Sequence, residues 1–140
     1  MRILAVDPGE KFIGLAISDP TATIAGPLTV LRHRSRREDA AAIARVAAEQ
    51  GAARIVIGQA MDLHGKPTTV QARRATNLAA ALREITPVPV VLWDENGSTQ
   101  AALEAWRLMG VARWRKRRPD AVAATVILQR YLDAGAPLDT

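Results

Sequence analysis

Two apolar runs, Ile3 to Val6 and Phe12 to Ile17, stand only five residues apart, and the Asp-Pro-Gly-Glu-Lys between them favours a turn. Runs this short and this close pair as an antiparallel hairpin, which predicts strands over Ile3–Asp7 and Phe12–Ser18. The first run is apolar at successive positions, as a strand buried on both faces is, yet it ends in a carboxylate. In open α/β sheets the carboxyl ends of strands are where ligands bind, so Asp7 is a candidate site residue as well as a turn residue.

The rest of the chain alternates strands with helices. A third strand is expected near Leu28–Leu31, after a break at Gly26-Pro27. Ser35 followed by Glu38 is a capping box, opening a helix that runs to about Gln50 and stops at Gly51. Arg54–Gly58 reads as a short β-branched strand and residues 59–67 as a loop. A helix from about Thr69 to Glu84, a strand over Val88–Trp93, and helices near Thr99–Met109 and Asp120–Ala134 follow. Three strands and then βα alternation imply an α/β fold: one domain over residues 1–140, with a mixed five-stranded sheet flanked by helices. A length of 140 residues, 49% of them hydrophobic and 24% charged, fits one globular domain. No apolar run nears the ~18 residues of a membrane span and no leader pattern opens the chain, so a cytoplasmic protein with no membrane partner is expected. The lack of cysteine excludes disulfides and thiolate zinc sites.

The net charge is +5, and much of the basic excess lies in two clusters, Arg32–Arg37 (RHRSRR) and Arg113–Arg118 (RWRKRR). A single charge run is usually solvated surface. Two arginine-rich clusters in a small domain point to a polyphosphate partner, because guanidinium forks match phosphate oxygens. Trp114 could stack on a base or pack against the domain.

The acids stand at chosen places. Asp7 ends the first strand, Asp94 and Glu95 follow VPVVLW, and Asp120 opens the last helix behind Pro119. On that helix Asp120, Ala124, Ile127 and Tyr131 share one face, and Ile127 marks that face as the core-facing one. Taken singly, each acid has a plain structural role as an Asx-type turn residue, a loop acid or a partner of the helix dipole. If the two strands are neighbours, the acids converge on one edge, where their mutual repulsion calls for divalent cations. Two-metal phosphodiester chemistry holds such ions ~3.5–4 Å apart with carboxylates.

The ordered motifs resemble the YqgF/RuvX family of ribonuclease H-like proteins, described as Holliday junction resolvases or pre-16S ribosomal RNA nucleases. ILAVDPGEKFIGLAISD is similar to the family's first hairpin, and IVIGQAMDLHGKPTTVQARRATNLAAAL to its middle segment. DENGST stands where the family has its Asp-Glu-Arg motif, and RRPDAVAATVILQRYLD resembles its closing helix. The resemblance implies a ribonuclease H-like fold and metal-dependent phosphodiester hydrolysis. It implies Asp7, Glu95 and Asp120 as catalytic metal ligands, with Asp94 the alternative to Glu95 because adjacent strand residues point to opposite faces. Lys11, Arg73, Arg74, Arg115, Lys116, Arg117 and Arg118 become nucleic-acid contacts, and Mg²⁺ or Mn²⁺ the expected cofactor. Asn96 and Gly97 replace the family's arginine and apolar residue, which removes a guanidinium from the proposed site. Neither His33 nor His64 is assigned a role.

The implied substrates are the 5′ end of pre-16S ribosomal RNA and branched DNA, and phosphate contacts alone do not choose between them. Symmetric cutting of a junction asks for a two-fold homodimer, whereas trimming an RNA end needs a monomer. Two other readings compete. One is a non-catalytic nucleic-acid-binding module of the same fold, acting in ribosome assembly. The other is an ATPase of the sugar-kinase or actin type, which requires two such domains where 140 residues supply one.

Overall fold

The computed structural model describes residues 1–59, 70–94 and 119–138, with the side chains of Gln71, Asp94, Pro119 and Asp120 outside that description. The elements run β1 (Arg2–Pro8), β2 (Phe12–Ser18), β3 (Ala25–Arg32), α1 (Arg36–Gln50), β4 (Ala52–Gln59), α2 (Val70–Ile85), β5 (Val90–Asp94) and α3 (Pro119–Asp133). The expected helix over Thr99–Met109 lies outside the described residues.

The strands form one sheet in the order β3-β2-β1-β4-β5. β2 is antiparallel to β1 and β3, while β4 and β5 run parallel to β1. The sheet is mixed and five-stranded, as the alternation of elements implies. Side chains alternate along each strand and so divide the core into two layers. Leu4, Val6, Ile13, Leu15, Ile55 and Ile57 face α1 and α2, packing against Ile43, Leu78 and Leu82. Ile3, Ala5, Ala16, Val56 and Val91 face the other way, onto Ala124, Leu128 and Tyr131 of α3. Because β1 is covered on both sides, it is apolar at every position from Ile3 to Val6.

The ends of α1 are set by local chemistry. Ser35 is the N-cap, accepting the Glu38 N–H at 3.2 Å. At the other end Gly51 adopts the left-handed conformation (φ 65°) and donates to Ala47 and Ala48. β4 begins at the next residue, so one glycine turns the chain from helix to strand.

β3 is longer than the sequence suggests. Gly26 and Pro27 lie inside the strand rather than before it. β3 is an edge strand, where a proline lacking its N–H costs no ladder bond on the open side. A register shift between Leu15 and Ala16 of β2 skips Leu28 on β3, a bulge beside that proline. The β2–β3 connection is organised by Asp19, whose carboxylate accepts the N–H groups of Thr23 (2.8 Å) and Ile24 (2.9 Å) and the hydroxyl of Thr21.

Candidate active site

Asp7 stands near the end of the β1 ladder, opposite Gly14 of β2. Its face follows from its neighbours. Val6 points toward α1 and α2, while Ile3 and Ala5 point toward α3, so Asp7 belongs to the α3 side. There it is half-buried.

On that side Asp7 has a glycine on each flank. Gly14 alternates with Ile13 and Leu15, which face α1 and α2. One residue past the Val6–Ile57 pair comes Gly58 of β4, which pairs with Trp93, a residue of the α3 layer. Neither neighbour carries a side chain, and both glycines are buried, so backbone alone flanks the carboxylate within the sheet. Nothing in the local sequence singles out these glycines. Their signal is tertiary, since it depends on which strands flank β1.

The condition that the strands bearing Asp7 and Asp94 be neighbours is not met by the sheet order. β4 lies between, because the chain crosses over α1 and α2 and inserts β4 beside β1 before adding β5 outside it. The carboxyl ends of β1 and β5 are therefore two strand spacings apart, ~10 Å. In register, Asp94 is level with Gln59, one residue beyond the Gly58–Trp93 pair.

α3 reaches the same edge from the other direction. Its last turns meet the opposite edge of the sheet. Tyr131 accepts from Arg54 at the start of β4 (3.1 Å), and Gln129 accepts the N–H of Ala25 at the start of β3 (2.9 Å). A 15-residue helix spans ~22 Å, so its amino end, where Asp120 is the second residue, lies toward the carboxyl end of β1. Ala124, one turn on from position 120, is fully buried against the sheet.

Among the basic residues, Lys11 is exposed beside the β1–β2 turn. Gly9 in that turn is required by close approach, since a Cβ would lie 2.2 Å from the Phe12 carbonyl oxygen. Arg73 and Arg74 sit on the first turns of α2, which Gln59 ties to β4 through bonds to the Ala72 carbonyl (3.3 Å) and the Thr76 hydroxyl. Both arginines line a cleft with Pro8, Gly9 and Arg36. Glu95, Arg115, Lys116, Arg117 and Arg118 lie outside the described residues, as do Asn96 and Gly97.

A mixed sheet of this order, with three parallel strand ends and helices on both faces, defines a ribonuclease H-like α/β domain. T. thermophilus RuvC in complex with a Holliday junction substrate shares that fold, with a TM-score of 0.62 and 15% identity over 99% of this chain and 97% of RuvC. The fowlpox virus Holliday junction resolvase shares it with a TM-score of 0.57 and 13% identity over 96% and 99%. The chain belongs to the RuvX Holliday junction resolvase family, which it matches over residues 1–134. Relatives named "Putative pre-16S rRNA nuclease" include one from Caldanaerobacter subterraneus, 38% identical over 96% of this chain and 97% of its own. One from Anaeromyxobacter is 42% identical over 95% and 97%, and one from Myxococcus xanthus 38% identical over 100% and 93%. The family is one of enzymes that hydrolyse phosphodiester bonds. No helix among the described residues is long and apolar enough to cross a membrane.

Proposed function

We propose that the protein is a metal-dependent nuclease acting on structured RNA or branched DNA, with Asp7, Glu95 and Asp120 as the catalytic acids. The observation that carries this is the placement of Asp7. It stands at the end of a strand held on both faces, between two glycines, at the edge toward which the amino end of α3 is directed. A carboxylate on so rigid a base holds a ligand with little freedom to drift.

Alternation along β5 supports Glu95 over Asp94 as the third acid. Val91 and Trp93 lie on the α3 side with Asp7, while Val90 and Leu92 lie on the other. Asp7 and Glu95, at the ends of β1 and β5, would hold the cations from the sheet, with Asp120 from the helix. The donor set is all oxygen and suits a hard cation, Mg²⁺ or Mn²⁺, which when bound lowers the pKa of a water and steadies charge on the leaving oxygen. The chain's own part is to fix that geometry. Asp7 anchors it from the sheet, Asp120 closes it from the helix, and the glycine pair keeps the strands beside Asp7 free of side chains. Lys11, Arg73, Arg74 and Arg115–Arg118 supply phosphate contacts that position the strand without reading its sequence.

The names of the relatives favour pre-16S ribosomal RNA as substrate, and the family description favours a Holliday junction. The test is cleavage of both, labelled, in Mg²⁺, Mn²⁺ or EDTA, by wild type and Asp7→Asn. We expect metal-dependent cutting that EDTA stops and Asp7→Asn reduces at least ~100-fold. The preferred substrate names the role, and a product cut symmetrically on two strands indicates a homodimer. Binding without cutting, unaltered by Asp7→Asn in every metal, would leave a basic binding module and overturn the nuclease.

A further inference from the structure

The cleft beside Arg73 and Arg74 lies on the opposite face of the sheet from Asp7. Ile13 and Leu78, which line it, belong to the layer under α1 and α2. At about 470 Å³ it falls within the ~300–1,000 Å³ usual for small-molecule sites. Its walls carry two chemistries. Arg36, Arg73 and Arg74 converge on it from two helices, while Pro8, Ile13 and Leu78 give it apolar surface. A bare phosphate would use the first alone and an apolar ligand the second alone. A nucleotide uses both.

A third feature points the same way. His33 lines the cleft, and the buried carboxylate of Asp39 holds its Nδ1. Asp39 is only 6% exposed and also accepts the Arg34 N–H at 3.0 Å. Burying a carboxylate is costly, and here it fixes the orientation of one imidazole at the mouth of a cleft. With Nδ1 engaged, Nε2 is the ring atom left to meet a ligand. His33 also borders a neighbouring groove with Lys11, Phe12 and Arg32. Phe12 is 45% exposed there and pairs across the sheet with Arg32, which makes an aromatic face flanked by Lys11 and Arg32 on a groove that Glu10 also lines.

We propose that this cleft seats one unpaired nucleotide of the nucleic-acid strand, its phosphate on Arg36, Arg73 and Arg74 and its base over Ile13 and Leu78. Pro8 and Gly9 directly follow Asp7, so a strand leaving the cleft passes over the end of β1 toward the acids. The ligand class rests on the nuclease reading. The consequence is a preference for substrates in which paired and unpaired strands meet, and it brings the Arg32–Arg37 cluster into strand recognition.

The test compares binding of a blunt duplex with the same duplex carrying a single-stranded extension that contains one 2-aminopurine. Asp7→Asn protein with EDTA is used throughout, so that nothing is cut. We expect the extension to tighten binding about tenfold, in the range one stacked base supplies, with a change in 2-aminopurine fluorescence. Asn77→Trp, which fills the cleft from the exposed face of α2, and Arg36→Ala should each remove most of that preference. A photoreactive base in the extension should attach to His33 or Leu78 of protein with no cleft substitution, which needs no variant to be interpreted. Competition by a free nucleoside monophosphate would show that the nucleotide alone suffices. Equal affinity for blunt and extended duplexes, or a preference that survives both variants, overturns the cleft. These outcomes are independent of cleavage, so loss of the nuclease reading and loss of the nucleotide cleft are distinguishable.

Discussion

Gly58 carries no side chain at the one strand position that separates Asp7 from the β5 edge on the α3 side. Gly58 is buried, so a valine there must displace its neighbours, and Gly58→Val is expected to cost ~1–3 kcal/mol of stability. Its methyl groups would occupy the space beside the carboxylate. We expect cleavage to fall ~100-fold, as misplacement of a reacting group by about an ångström does. Full activity in a folded Gly58→Val protein, checked by circular dichroism, would show that the glycine is not needed there. Asp7 was legible from its place at the end of an apolar run. Gly58 and Gly14 were not, because a glycine in a strand means nothing until the strands on either side are known.

At the scale of elements, the capping and turn residues carry the clearest local information. Ser35, Glu38 and Gly51 act through bonds within a few residues of themselves, so the limits of α1 follow from its sequence almost to the residue. β3 misleads for a related reason. Gly26-Pro27 is a breaker in a central strand and is tolerated at an edge, and being an edge is a property of the whole sheet. The loop before β3 supports a pH prediction. The N–H of Ile24, the hydroxyl of Thr21 and the N–H of Thr23 hold the Asp19 carboxyl well below the usual carboxylate range. A depressed folded-state pKa stabilises the fold above the unfolded value, ~3.9, and that stabilisation is lost as pH falls below it. Asp19→Asn should therefore melt at a lower temperature than wild type at pH 7. The gap should narrow as pH falls below ~3.9 in thermal scans, and a gap unchanged across that range would refute the assignment.

For the whole molecule, the +5 charge becomes meaningful once the fold gathers it. Arg36, in the first basic cluster, and Arg73 and Arg74, some forty residues on, meet in one cleft because α1 and α2 pack side by side on the sheet. Binding to RNA and to DNA should weaken together as salt rises. Reversing the charge of Arg73 and Arg74 should flatten the dependence of log Kd on log salt by ~0.7–0.9 for each phosphate that the protein ceases to neutralise. A slope unchanged by that reversal would place the phosphate-binding residues elsewhere. The sequence alone determined the order of the described elements, the limits of α1 and the carboxylate at the end of β1. Those depend on periodicity and on bonds between near neighbours. Only the tertiary structure decided that β4 separates β1 from β5, that two glycines flank Asp7, and that two distant arginine groups share a cleft with an imidazole held by Asp39. Strand order and helix packing join residues remote in the chain, and no local preference encodes which of them will meet.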